Sequence, residues 1–371
     1  MKNLHLMPMN THLDDGMVLA LNDAVPMEEN VFFHPEQRDA LRNVPNSYVV
    51  PEAFTAEYIN EHAHEYKRII LHSLFLGENG VLKLSDEAAS KIVWVVWGHD
   101  LYSVHKKKKW TVSLLLKEAV HTAKKILRGT YIRAYKAKKE VARKIALFQC
   151  IGIGFPYDEK QIRAKYGHKP RVVYGPVFSP KTPDKRRLEL RERHLAASNH
   201  CTNVIIGHSG FEFLEHEKYL KKLSKYKNED MQIYLVLSYG ADEARIQKLT
   251  TLANRLFREG QVTIITEMMD KEKYREFLSK MDVAIFPFLH QSALSNTQMM
   301  AFMGSKLYFD PRGVLAKGFL AGGVKSYDCR KIGKIPFSTF KDYNEVPPVD
   351  APLFSRGEYS NAVKAWKDIL Q

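Results

Sequence analysis

The chain is short of cysteine. Its three, Cys150, Cys201 and Cys329, lie far apart in 371 residues and form no CxxC pair. That excludes a disulfide framework and a cysteine-built zinc site, and it fits a reducing compartment. Long apolar runs are missing too. No stretch reaches the ~20 residues that a membrane-spanning helix needs. The apolar run within Met1 to Asn10 is too short for a secretion signal. The chain is therefore expected in the cytosol. Several chemical signatures are also absent. There is no Asp-x-Asp pair to hold a metal and a sugar nucleotide, no HExxH, no GxSxG and no P-loop. No GxGxxG follows the first strand candidate, which argues against an ordinary dinucleotide dehydrogenase.

Acids are scarce relative to bases. Forty-two Asp and Glu face 56 Lys and Arg, leaving a formal charge of +14 and a pI near 9.4. Such a balance points to a polyanionic partner: nucleic acid, an anionic membrane face or a phosphate-bearing substrate. With 45% apolar and 26% charged residues the chain is globular. Its length suits two domains, each with its own core.

The excess charge is concentrated. Between Ser103 and Gln149 stand 14 bases and only two acids, Glu118 and Glu140. The bases include Lys106, Lys107, Lys108, Lys109, Lys117, Lys124, Lys125 and Arg128. Val112, Leu115, Leu116, Ala119, Ala123, Ile126 and Leu127 recur at helical spacing beside them. Ile132, Tyr135, Val141 and Ile145 against Arg133, Lys136, Lys139 and Arg143 repeat the design. Trp110, Tyr131 and Tyr135 punctuate it. A basic amphipathic helix with interfacial aromatics suits an anionic leaflet, although a plain solvated face over a core stripe would show the same pattern. No zinc-finger spacing or RNP-like aromatic motif speaks for nucleic acid, and none is expected as a partner.

Along the chain, short apolar runs alternate with helical patterns. Strands are expected at 4–7, 48–50, 68–72, 92–97, 146–151 and 171–174, then at 203–206, 232–237, 261–265, 283–286 and 306–309. Helices are expected near 213–227, 241–259, 271–281 and 292–303. This order is that of an α/β protein with doubly wound parallel sheets. Prolines 176, 180 and 183 and the charged run through Arg193 mark a linker at 175–200. The expected domains are 1–180, facing acceptor and membrane, and 181–355, binding the nucleotide. A final helix in 356–371 is placed to cross back.

Ligands of such sheets bind beyond the carboxyl ends of the strands. Four constellations fall there. Trp97-Gly98-His99-Asp100-Leu101-Tyr102 follows the strand at 92–97. Asp100 is placed to accept a proton from an attacking hydroxyl, with His99 to orient it or do the same work. As a helix cap, Asp100 would need no such role. Gly207-His208-Ser209-Gly210 with Glu215-His216 offers backbone N–H groups and a helix N-terminus to an anion. Ser238-Tyr239-Gly240 offers close approach and an aromatic face. Gln291, Ser295, Asn296 and Gln298 place amide and hydroxyl donors at a helix start that suits a diphosphate or sugar hydroxyls. Each of these has a bland counterpart: a tight turn, a loop cover or a helix cap.

In order, WVVWGHDLY (94–102), IIGHSG (205–210) with Glu215-His216, LSYG (237–240), EKYREFLSKMDVAIF (272–286) and HQSALSN (290–296) resemble the bacterial 4-acetamido-4,6-dideoxygalactosyltransferases of glycosyltransferase family 56. The likeness runs from about Ile69 to Phe309. It implies a GT-B fold, two Rossmann-like domains facing a central cleft, with acceptor on the first and donor on the second. It implies transfer of a deoxyamino sugar, such as N-acetylfucosamine, from a TDP-linked donor to a saccharide on a polyprenyl diphosphate. The implied setting is surface polysaccharide assembly at the cytoplasmic face of the inner membrane. Neither metal nor cofactor is expected, since helix N-termini would stabilise the leaving diphosphate. Carried over, the Trp97-Gly98-Asp100-Tyr102 run matches the family's, with Trp97 and Tyr102 serving the acceptor, while the basic residues with Trp110, read from their charge pattern, serve the membrane. Ser209, Gly210, Glu215, His216, Gln291, Ser295 and Asn296 serve the donor by the resemblance, and Ser238, Tyr239, Gly240 and Gln298 by their place beyond strand ends. The first 60 residues match poorly, and a glycine is expected where Ser295 stands. Both departures leave sugar identity open. A GT-B transferase using another nucleotide sugar and a basic nucleic-acid-binding protein are the alternatives.

Overall fold

The computed structural model describes residues 1–8, 13–36, 44–98, 100–102, 130–176, 184–197, 201–342, 345–355 and 359–370. The chain divides into two compact units, Met1–Lys181 with Arg356–Gln371, and Thr182–Ser355.

The first unit carries seven parallel strands: β1 (Lys2–Leu6), β2 (Asn30–His34), β3 (Ser47–Val49), β4 (Tyr66–His72), β5 (Ile92–Val95), β6 (Cys150–Ile153) and β7 (Val172–Tyr174). Their order is β3-β2-β1-β4-β5-β6-β7. Parallel strands bury both faces, which is why β5 reads Ile-Val-Trp-Val and all four residues are buried. The helix Tyr359–Leu370 packs against the helix Leu13–Ala24. It seats Trp366 among Met17, Phe32, Ile70 and Val93. Beneath Trp366 lie two buried histidines. His5 Nδ1 and His72 Nε2 are 3.0 Å apart, and His5 Nε2 is 3.2 Å from Asn30 Oδ1.

The second unit carries β8 (Thr202–Ile206), β9 (Met231–Val236), β10 (Val262–Ile265), β11 (Val283–Phe286), β12 (Lys306–Phe309) and β13 (Tyr327–Asp328). They form a parallel sheet in the order β10-β9-β8-β11-β12-β13. Val204, Ile206, Ile233, Leu235, Val283, Ile285 and Tyr308 join Tyr219, Leu220 and Leu249 from the flanking helices in one core.

Several expectations need correction. Residues 184–196 are helical and belong to the second unit, not to an open linker. Leu190 is buried there, and the buried Arg191 guanidinium donates to the carbonyls of Phe302 and Pro347. The segment 146–149 is a turn, because the helix Thr130–Ile145 runs up to it and β6 starts only at Cys150. β2 and β13 were not anticipated. On the Thr130–Ile145 helix Val141 and Ile145 are buried, but Ile132 and Tyr135 stand 59% and 54% exposed, so the expected apolar stripe is only half used. No helix among the described residues is long and apolar enough to cross a membrane.

Candidate active site

Chain order locates the crevices. In the second unit the chain lays down β8, β9 and β10 in one direction, then returns to add β11 on the other side of β8. The strand order reverses between β8 and β11, so the loops after these two strands diverge and leave room for a ligand. In the first unit the same reversal falls between β1 and β4.

The β8 loop is built for close approach. Gly207 has φ +70°. Gly210 donates its N–H to the Tyr239 carbonyl at 2.7 Å. A Cβ on Gly210 would lie 2.2 Å from that of Ala241, so any side chain would drive the β8 and β9 loops apart. The β11 loop joins at His208, whose Nε2 is 3.3 Å from Ser292 Oγ.

Buried polar atoms without partners, or with poor ones, gather at this point. His208 Nδ1 and Gln291 Oε1 are buried and have no hydrogen bond among the described residues, and Ser209 Oγ and His216 Nε2 are buried with no well-formed one, beside the Tyr239 phenol and the Ile206 backbone. Ser209 lies beside the Tyr239 phenol, which burial pushes up while the serine opposes it. A desolvated polar group left unpaired costs about 1–3 kcal/mol, so two unpaired and two poorly paired groups at one switch point fit a site awaiting a polar ligand. Burial lowers His208 and His216 to about 4, helped for His208 by the neighbouring His216 and His290, and for His216 by Arg245. Both imidazoles are therefore neutral donors or acceptors at neutral pH.

Helix starts are uncapped after β8, after β11 and also after β12, where Gly313 precedes the helix Val314–Ala321. The helices after β9 and β10 are capped, Asp242 accepting from Arg245 N and Asp270 from Glu272 N and Lys273 N. The helices after β8 and β11, His216–Leu223 and Leu294–Met303, carry no side-chain cap and start from Glu215 and Ala293 in left-handed conformations. Uncapped N–H groups and the positive end of the helix dipole attract an anion.

The remaining expected donor residues divide. Glu215 turns its carboxylate to Lys218 at 3.0 Å. Asn296 donates to the Tyr274 hydroxyl at 3.1 Å, and Ser295, in the first helical turn, is exposed. Ser238, Gln291 and Gln298 are half-buried; Tyr239 and Gly240 are exposed at the β9 end. Sequence reasoning passed over Arg245, which donates to the Gly210 carbonyl and approaches His216 Nδ1 at 3.4 Å. Its place on a helix beyond the Ser238-Tyr239-Gly240 turn gave no local signal. Ser292 was likewise missed.

In the first unit, Asp100 is occupied. Its Oδ2 accepts from Leu74 N at 2.8 Å and Trp94 Nε1 at 2.7 Å, and its Oδ1 from Trp97 N at 3.1 Å. Little of the carboxylate is left for a substrate hydroxyl, so it binds the turn to β4 and β5 where a free base was expected. Trp97 Nε1 is buried and has no partner among the described residues. Tyr102 is buried, and its hydroxyl donates to Asp158 Oδ1 at 2.7 Å. It therefore supports the loop, where acceptor contact was expected. His99, Lys106, Lys107, Lys108, Lys109, Trp110, Lys117, Lys124, Lys125 and Arg128 lie outside the described residues.

Comparison with known proteins follows this geometry. The model of the family described as 4-alpha-L-fucosyltransferase, glycosyl transferase group 56, matches residues 160–306. Among solved structures the chain is similar to a glycosyltransferase from Rickettsia africae ESF-5, with TM-score 0.60, 11% identity, and 100% of this chain and 98% of that one covered. It is similar to Anabaena HepE, solved with UDP and glucose, with TM-score 0.58, 12% identity and coverage of 100% and 98%. A UDP-forming alpha,alpha-trehalose-phosphate synthase from Burkholderia xenovorans gives TM-score 0.51, 10% identity and coverage of 100% and 98%. The fold is GT-B, with two Rossmann-like units, and the family match carries the reaction class, glycosyl transfer.

Proposed function

We propose that the second unit binds a nucleoside diphosphate sugar at the β8/β11 switch point and that the enzyme transfers its sugar to a lipid-linked saccharide. The observation that carries the reading is the coincidence of uncapped helix starts and unpaired or poorly paired buried polar groups at that one point. The leaving diphosphate gains charge as the sugar departs. Backbone N–H groups at the starts of His216–Leu223 and Leu294–Met303 would stabilise it, with Ser209, His208 and Gln291 as neutral partners. This stabilisation calls on neither metal nor cofactor. HepE, solved with UDP and glucose, supports the nucleotide-sugar class.

The finer reading rests on resemblance. The sugar is a deoxyamino hexose, the nucleotide is TDP, and the acceptor is a glycan on a polyprenyl diphosphate. The residues, not the resemblance, offer Asp100 and His99 for the attacking hydroxyl's proton, and with Asp100 held by Leu74, Trp94 and Trp97 the role passes to His99. The basic segment from Lys106 to Arg128 holds the enzyme at the cytoplasmic face of the inner membrane, where such an acceptor resides.

A transfer assay tests this. Purified enzyme is given TDP- and UDP-sugars, a polyprenyl-diphosphate disaccharide, and EDTA. Turnover with a TDP-deoxyamino sugar, undiminished by EDTA, is expected. Loss of turnover with EDTA and its return with manganese would overturn the helix-dipole account. Turnover confined to another donor would overturn the sugar assignment.

A further inference from the structure

The described residues around the expected base position, Gly98 and 100–102, are pinned at two ends. Leu101 N and Tyr102 N both donate to the Gly98 carbonyl, at 3.1 and 2.8 Å, closing the turn on itself. Asp100 ties its first half to Leu74 and Trp94. Beyond those backbone bonds, a side-chain bond ties the second half to the rest of the unit, from the Tyr102 hydroxyl to Asp158 Oδ1 at 2.7 Å.

Asp158 stands at the first position of the helix Asp158–Tyr166, one strand further along the sheet. It is 1% exposed and Tyr102 is 7% exposed. Its second oxygen accepts from Phe155 N at 3.2 Å, and its own N–H donates to the Phe155 carbonyl at 3.0 Å. The carboxyl is thus fixed by backbone at the end of β6 and cannot follow if the turn shifts. A buried carboxyl fixed on one side and bonded to a single tyrosine on the other works as a latch. Nothing else in the reading given above uses Asp158.

We propose that Asp158, acting through Tyr102, is a positioning residue that holds the Gly98–Tyr102 turn in register for acceptor attack. The inference rests on the transferase reading given above. Tyr102→Phe removes the donor and Asp158→Ala the acceptor. Asp158→Asn keeps the shape, because the amide oxygen can take Phe155 N–H while the amide nitrogen donates to the Tyr102 oxygen.

Two measurements test it on the full-length enzyme. In hydrogen exchange, a peptide spanning residues 96–102 should lose protection in Tyr102→Phe and Asp158→Ala and keep it in Asp158→Asn. In turnover, the first two variants should lower kcat by about 10- to 100-fold, the range expected for a misplaced reacting group. Asp158→Asn should stay within about twofold of the parent, a split that holds if geometry and not charge is what the acceptor step needs. The Kd for TDP, measured by calorimetry, should be unchanged in all three. Unchanged protection in Tyr102→Phe and Asp158→Ala would overturn the latch. So would unchanged kcat in these two, or an Asp158→Asn as slow as Asp158→Ala. If the parent enzyme failed to bind TDP or turn over any sugar nucleotide, the transferase reading would fall, while the exchange data would still decide the latch.

Discussion

Lowering the pH sets two buried groups of the first unit against each other. Burial pushes His5 down from 6.5 to about 4, with the Asn30 hydrogen bond opposing. The unfolded chain therefore takes up a proton below 6.5 that the folded chain refuses, and stability falls as pH falls. One proton is worth about 1.4 kcal/mol per pH unit, so His5 costs about 2 kcal/mol between pH 7.5 and 5. His72, held well below its ordinary value by burial and by His5 and His34, acts in the same direction. Asp158 has the opposite sign. Burial raises it from 3.8 to about 7, against the Tyr102 and Phe155 hydrogen bonds and with Asp100 adding to the rise. The folded chain binds this proton first, so stability grows as pH falls through 7, by about 2.5 kcal/mol at pH 5. The Asp158 gain nearly offsets the His5 loss, and His72 adds a further loss. Asp158→Asn removes the gain and leaves the histidine loss bare. All four tryptophans (94, 97, 110 and 366) belong to the first unit, so tryptophan fluorescence in urea follows that unit alone. On passing from pH 7.5 to pH 5 the variant should lose about 2.5 kcal/mol more than the parent. Equal losses in the two proteins would refute this account of Asp158.

Other consequences are simpler to state. Gly210→Ala should weaken TDP binding at least about tenfold by calorimetry, because the new Cβ meets Ala241 and the loops must part. The urea midpoint read by tryptophan fluorescence should stay unchanged. Since His208 is neutral when empty, an anion against it would raise its pKa and draw in a proton. TDP should then bind more tightly at pH 6 than at pH 8, and His208→Gln should flatten that dependence. Replacing Lys106, Lys107, Lys108 and Lys109 by alanine should reduce partition onto anionic vesicles in flotation, at about 1 kcal/mol per base. Neutral vesicles should bind neither protein.

Where the chain buries simple apolar runs, the sequence was legible. β11 and β12 fall on the expected residues, and β8 and β9 within one, because β-branched runs of this length have few alternatives. β2 escaped notice. Its ends, Asn30 and His34, are polar residues that the fold buries, and only Val31, Phe32 and Phe33 between them advertise a strand. The 175–200 segment misled because its prolines and charges resemble a linker, whereas its last part packs a buried leucine and arginine. The glycine-serine turn after β8 and the polar loop after β11 were readable as loops beyond strand ends. That they share one switch point follows from strand order, which no local pattern encodes. Arg245 and Asp158 act at a distance in sequence, across 35 and 56 residues, so nothing beside them betrays their partners.

The claim on which the account turns is that the diphosphate lies where β8 and β11 part. A crystal soaked with TDP tests it most directly. The account predicts density for the two phosphates against the 207–210 turn and the start of the helix Leu294–Met303, within hydrogen-bond reach of Ser209 and His208. Phosphate density elsewhere in the molecule, with those groups left untouched, would contradict it.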